Sequence, residues 1–424
     1  MDNLTHSIIG LIAGESAAGA GAPAGEGVHG LGADARRRLY ACIGVVGGNL
    51  PDIDLLVSSG GLSRDKLGYL LNHRGYTHTL AGCALLALLL YGVVEWVLRR
   101  RAIRLSLRER VVMGAFCAGA VLLHLGMDAM NSYGVHPFLP FDDAWRYGDR
   151  LFIVEPSYWV ALAPLWFVMR GRAGRAFIAL SIAGALALSL LSGMVLAPSV
   201  ALLAAAVPAL WLAAAGMPPR HTAILSAAAC VAITVSFAFA GARAERVARA
   251  AAASASATEA MLDAVLTPAP ANPLCWDLLL LQADAKHYTV RHAQLSLAPA
   301  LLPPDRCPRV SGAASITMPL AGVAPRAAPG VQWRGEYVMA RSELGAVVAN
   351  HCEAAAFLQF ARAPFLVHRR DGWVIGDARY DREPGLGFAE LLLGEVPVQG
   401  EARPRGACPA SVPWERPRAD LLPP

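Results

Sequence analysis

Four short segments carry most of the residues able to do chemistry. They are Asp2-Asn3-Leu4-Thr5-His6, Asn49-Leu50-Pro51-Asp52-Ile53-Asp54, Asn72-His73-Arg74-Gly75-Tyr76-Thr77-His78 and His124-Leu125-Gly126-Met127-Asp128. Each sets His or Asp at or beside the end of an apolar stretch, where an ionisable group is costly and usually functional. His124 and Asp128 are four apart in a helical stretch, so both leave one face and can share a divalent cation. Asp52 and Asp54 follow Pro51 in an extended or turn segment and can reach toward one centre. His73 and His78 are too far round to share a helix face. His73 reads as a loop residue, and His78 lies at the mouth of the helix that follows. Mixed imidazole and carboxylate ligands suit zinc, manganese or iron, and their number allows one or two ions. Two ions ~3.5–4 Å apart can activate a water and steady the leaving oxygen in ester or phosphoester hydrolysis. Singly, each motif has an ordinary use: a hydrogen-bonded helical pair, a turn or N-cap for Asp-x-Asp, a membrane-surface anchor for Arg74. Their convergence on one side of a membrane makes a shared site the sharper reading.

That membrane follows from composition. The chain has 424 residues, 55% hydrophobic and only 16% charged, with mean hydropathy +0.43; soluble domains usually carry about 25% charged residues. Disorder, a coiled coil and an ordinary cytosolic enzyme are excluded, and a net charge of +5 is too slight for a nucleic-acid binder. Apolar windows long enough to span hydrocarbon occur at 79–98, 111–127, 176–197, 199–217 and 222–241. A further window at 151–169 is interrupted by Glu155 and Pro156, and Leu4–Ala22 and Leu39–Leu50 are apolar but short or Gly/Ala-rich. No basic n-region or A-x-A site opens the chain, so a cleaved signal peptide is not expected. Arginines cluster at 36–38, 99–110 and 170–175, and the positive-inside tendency puts these on the cytoplasmic face. The four chemical segments and everything after residue 242 then fall on the opposite side, although Arg243, Arg246 and Arg249 run against that count. No Asp or Glu occurs between Pro156 and Gly241, so those spans read as scaffold and the chemistry belongs before them.

After residue 241 the composition changes. We expect a helical and Pro-rich linker over 242–272 and a small α+β domain over 273–424. Strand-like runs lie at Cys275–Leu281, Tyr288–Leu297, Phe365–His368 and Trp373–Ile375. The last two flank Arg370-Asp371-Gly372, a hairpin signal, and Ser342–Ala363 reads as helical. Cys275, Cys307, Cys352 and Cys408 can form two disulfides in three connectivities, or remain thiols. No nucleophile motif or phosphate loop marks this part.

The order MDNLTH, NLPDID, HRGYTH and HxxxDxxxxYG, with Pro137-Phe138 shortly after, resembles the YdjM family of bacterial inner-membrane proteins over roughly residues 1–160. The resemblance implies a membrane-bound metal-dependent hydrolase, more distantly similar to zinc phospholipase C. It also implies His6, Asp54, His73, His78, His124 and Asp128 as metal ligands and Asp52 as a further ligand or general base, with Thr5 and Thr77 orienting the ligands beside them. The family's GDxxFIVDP segment stands here as Gly148–Pro156 with Glu at 155. To these we add Arg74 as a candidate phosphate clamp, because a guanidinium fork matches phosphate oxygens.

The expected protein is therefore a polytopic α-helical membrane protein with a C-terminal α+β extramembrane domain. Residues 1–156 form the metal-hydrolase-like membrane domain and 157–241 add further spans as anchor. It would sit in the bacterial inner membrane with its C-terminal domain outside the cytoplasm, use zinc first and manganese or iron as alternatives, and hydrolyse an ester or phosphoester of a lipid or lipid-linked substrate. The rival is a non-enzymatic metal-binding scaffold or transporter. The carboxylate-free 156–241 stretch and the lack of a visible repeat count against transport, and an intramembrane metalloprotease lacks its HExxH.

Overall fold

In the computed structural model, which describes residues 1–20, 31–58, 66–256, 258–310, 329–381, 386–393 and 412–422, the apolar windows become helices. The N-terminal half comprises α1 (Asn3–Ala20), α2 (Ala33–Gly47), α3 (Leu55–Ser58), α4 (Lys66–Asn72), α5 (Leu80–Arg100) and α6 (Leu107–Asp128). Then come α7 (Pro156–Val160), α8 (Arg172–Leu191), α9 (Ala197–Ala214) and α10 (Pro219–Ala255). Among the described residues, α5, α6, α8, α9 and α10 are long and apolar enough to cross a membrane. Local chemistry sets their ends. Thr79 caps α5 by accepting from Gly82 N at 2.8 Å, and Ser106 and Glu109 close a capping box at the start of α6.

The Gly-rich character of the first two helices has a packing cause. A Cβ at Gly10 would stand 2.1 Å from the Gly44 carbonyl oxygen, and one at Gly14 would stand 2.4 Å from that of Tyr40. Gly10-x-x-x-Gly14 thus lets α1 and α2 approach backbone to backbone, the usual small-residue device of apolar helix pairs. This contact holds the His6 end of α1 against the Gly48 end of α2. At the other end, Arg37 pairs with Glu15 at 2.8 Å, Arg36 with Glu109 at 3.4 Å and Arg170 with Asp34 at 3.0 Å. The arginine-rich turns therefore share one end of the bundle and the four chemical segments the other.

The 151–169 window is not one continuous helix. Pro156 starts the short α7, and Pro164 lies in a 3-10 turn over Ala163–Phe167. Leu162, Ala163 and Leu165 are wholly buried in the largest apolar core. Two prolines break the hydrogen-bond ladder, and a broken helix is stable here because protein covers it.

The helical part of the expected 242–272 linker is present as the end of α10, but its Pro-rich part is a strand. The last span runs on through Arg243 to Ala255, where Glu245 pairs with Arg150 at 3.1 Å and with Arg249 at 2.8 Å. A first strand, β1 (Ala260–Ala269), follows at once, ahead of β2 (Asn272–Ala283), β3 (His287–Ser296) and β4 (Val331–Ala340). These form an antiparallel sheet in sequential order. Pro268 is tolerated because β1 is an edge strand whose register shifts there. After α11 (Arg341–Asn350) and α12 (Cys352–Phe357), the strands β5 (Pro364–Arg369), β6 (Gly372–Asp377) and β7 (Glu390–Leu393) form a second antiparallel sheet. Gly372, at φ +128°, makes the expected hairpin turn. Cys275 and Cys307 form a disulfide; Cys352 is also oxidised, and Cys408 lies outside the described residues.

This domain is clamped to the site end of the bundle. Trp145 Nε1 donates to Gln359 O at 2.9 Å, Arg379 to Ser132 O at 2.5 Å, and Arg362 pairs with Asp149. Glu155 caps α7 through Ser157 N and accepts from Ala271 N, each at 3.1 Å, so its carboxylate joins the membrane helices to the β1–β2 turn.

Candidate metal centre

A 3-10 turn over Leu50–Asp54 follows α2, and another over Tyr76–His78 precedes α5. The two pack together against the end of α6 and the start of α1, which brings side chains from all four segments into one buried space. His78 Nε2 and His124 Nε2 face each other at 3.0 Å. Asp52 Oδ1 lies 3.4 Å from the first and 3.5 Å from the second, and Asp128 Oδ2 lies 3.3 and 3.5 Å from them. A tetrahedral ion with bonds of ~2.0–2.1 Å holds its ligand atoms about 3.3 Å apart. Asp52, His78, His124 and Asp128 thus offer donor atoms at the spacing one such ion requires, and they form one of the groups able to hold a metal.

The partners of the far ring nitrogens sharpen this. His124 Nδ1 lies 2.7 Å from Gly48 O, which only accepts, so that nitrogen carries the proton. Thr77 Oγ1 donates to Asp54 Oδ2 at 3.0 Å, which leaves its oxygen to accept from His78 Nδ1, also at 3.0 Å. With neutral rings both Nε2 atoms then present bare lone pairs to each other, an arrangement that repels unless a cation or proton stands between them. Asp128 Oδ2 has no hydrogen bond although it is buried, and neither has His6 Nδ1. These orphaned donor atoms and the chemistry of the set fit a divalent cation.

A second group, Asp52, Asp54 and His73, adjoins the first and shares Asp52. His73 Nδ1 lies 3.1 Å from Asp54 Oδ1, and Arg74 N donates to Asp54 Oδ2 at 2.9 Å. Burial alone would raise the Asp52 carboxyl, but the adjoining His124 and His78 imidazoles, when they carry a proton on Nε2, outweigh burial and hold it well below the usual range. Asp54 is likewise held low against burial, by His73 and His78. Both stay anionic.

His6 stands beside the four-residue group: its Nε2 is 3.1 Å from Asp128 Oδ1 and its ring stacks on His124 at 3.8 Å. The Met1 amino group also reaches that Asp128 oxygen. Arg74, at φ +63°, is buried. Its Nε is 3.0 Å from Asp128 Oδ2 without hydrogen-bond alignment, its guanidinium donates to Asn131 Oδ1 at 2.9 Å, and it lies over the Tyr133 ring. Thr77 touches both His78 and Asp54 as the motif suggests. Thr5 instead bonds Asp2 and the Trp159 indole, so it secures the start of α1 rather than a ligand. Sequence reasoning passed over Asn3, which donates to Asp52 Oδ2 at 2.6 Å, as well as Asn131 and Tyr133. Asn3 and Tyr133 stand inside quoted motifs and were within reach; for Asn131 the only signal is nearness to Asp128.

Asp54→Asn tests the support given to His78. The variant is expected to weaken metal binding 10–100-fold, the usual effect of losing a carboxylate behind a ligating imidazole. Competition against a chromogenic chelator measures it, and an affinity equal to wild type would show that Asp54 does not support the site.

Fold and site together define a polytopic helical membrane protein with a His/Asp cluster able to hold a metal ion. Residues 1–198 match the family model described as YdjM inner membrane protein, so this N-terminal part is a YdjM-type region. No curated protein and no solved structure matches the chain.

Proposed function

We propose that this is a membrane-bound metal-dependent hydrolase that cleaves an ester or phosphoester of a lipid or lipid-linked substrate, with zinc as the first-choice metal. The observation that carries the reading is the facing pair of imidazole Nε2 atoms between two carboxylates. A divalent cation there would supply Lewis acidity and a water made acidic enough to attack near neutral pH. His78, His124, Asp128 and Asp52 hold the ion, and Asp54 and His73 offer a second position that shares Asp52. Asp52 is anionic and common to both groups, ligating through Oδ1 while Asn3 holds its Oδ2; a carboxyl held so far below the usual range serves as a ligand shared between the two positions rather than as the base. Arg74 places positive charge beside Asp128, and His6 buttresses His124 and Asp128. The arginine-rich turns at the far end of the bundle and the Cys275–Cys307 disulfide support an extracytoplasmic place for the site and the C-terminal domain of an inner-membrane protein.

The test is metal analysis of detergent-purified protein, alongside hydrolysis assays on an acyl ester and a phosphodiester of a fluorogenic lipid. Wild type is expected to carry at least one equivalent of metal and to hydrolyse one of these substrates. His124→Ala and Asp128→Ala are expected to lose both properties. Unchanged metal content in both variants would defeat the proposal; metal without hydrolysis of either substrate class would favour a scaffold.

A further inference from the structure

The residues that alternate with the site's own side chains point outward and are apolar. Ile53 lies between Asp52 and Asp54, Tyr76 lies between Arg74 and His78, and Leu56 follows one turn later. Tyr76 is 61% exposed and Leu56 69%. Leu56 lies on α3, and the two 3-10 turns that carry Ile53 and Tyr76 pack on α5, where Thr79 Oγ1 donates to Tyr76 O at 2.9 Å. The same helix start is tied to the 137–141 loop, since Leu80 N donates to Pro137 O at 2.9 Å. That loop exposes Phe138 and leaves Phe141 94% exposed. Behind it Arg146 lies over the Phe138 ring and pairs with Asp142.

What covers this patch can be read from α5. With 21 residues at 1.5 Å each, the helix is about 31 Å long, close to the ~30 Å hydrocarbon thickness. Leu80 therefore marks one edge of the hydrocarbon, and the exposed leucine face of α5 runs without a break into the patch. We propose that Ile53, Leu56, Tyr76, Phe138 and Phe141 insert into the headgroup–acyl boundary of the adjacent leaflet and set the mouth of the His/Asp cluster at the lipid surface. Aromatic and aliphatic side chains rimmed by charge suit that layer. The occupant is the bilayer itself, and the inference stands on the fold whether or not the cluster hydrolyses anything.

Spin labelling in phosphatidylethanolamine/phosphatidylglycerol nanodiscs tests it. The full chain carries Cys42→Ser, because the other three free cysteines are buried. Labels are placed by Phe141→Cys and, independently, by Tyr76→Cys. The reference is Ala285→Cys at the β2–β3 tip, a strand's length from the β1–β2 turn that meets Glu155. The ratio of oxygen to nickel-chelate accessibility is expected to be several-fold higher at 141 and 76 than at 285. Ratios at both positions equal to that at 285 would overturn the proposal. So would exclusion of both reagents that persists in detergent, which would show a protein covering the patch.

Discussion

Arg362→Ala is expected to lower stability by about 3–5 kcal/mol, the cost of removing one partner from a buried ionic group. Arg362 donates to both Asp149 carboxylate oxygens at 2.8 and 2.9 Å and to those of Asp263 at 2.8 and 3.1 Å. Its guanidinium also lies over the Tyr147 ring at 4.1 Å. Asp149 belongs to the membrane half and Asp263 to β1, so this one side chain joins the two halves of the molecule. Without it the buried Asp149 and the partly exposed Asp263 are left as two adjacent uncompensated carboxylates, and Asp149 must be protonated or move toward water. Lysine restores the charge but not the planar fork, so Arg362→Lys recovers only part of the loss. The thermal midpoint in detergent reads the effect. A variant neutralised at all three positions (Arg362→Met, Asp149→Asn, Asp263→Asn) should melt above Arg362→Ala, because the uncompensated charge is what costs most. An Arg362→Ala midpoint equal to wild type would sink the account.

The contrast between this junction and the cluster shows what a single sequence makes legible. The spans were readable because hydrocarbon demands about 20 apolar residues in a row, and 79–98 and 111–127 answer that demand locally. His124 and Asp128 were readable together because helical spacing fixes a face. The apolar runs expected at 275–281, 288–297, 365–368 and 373–375, with an Asp-Gly turn between the last two, mark β2, β3, β5 and β6. By contrast, β1 hid behind TPAPANP, because whether a proline breaks a strand depends on whether that strand lies at an edge, and sequence does not order a sheet. The Arg362 clamp joins residues more than 200 positions apart and leaves no local pattern. The role of Gly10 and Gly14 hid for a related reason: small residues signal close packing but do not name the partner, here Gly44 and Tyr40 on α2.

Chelation should make the cluster's energetics visible without any substrate. Without metal the cluster brings two bare imidazole nitrogens to 3.0 Å and sets Asp52 and Asp128 around them. That arrangement is stable only with protons or a cation in the middle. An ion bound to the folded chain alone stabilises it by RT ln(1 + [L]/Kd), about 4 kcal/mol at a thousandfold excess of free ion over Kd. EDTA is therefore expected to lower the wild-type melting temperature, and a matched divalent ion to restore it. His124→Ala should melt low from the outset and give little response to either addition. His78→Ala should behave alike, and the double variant should lie close to each single one, because removing either ring already empties the same site and the two losses cannot add. Two independent structural histidines would give the opposite pattern: additive losses, no effect of EDTA on wild type, and no rescue by metal. Asp54→Asn should fall between, keeping a response to metal that saturates only at higher free ion, because it weakens the hold on His78 Nδ1 without removing a donor from the quartet.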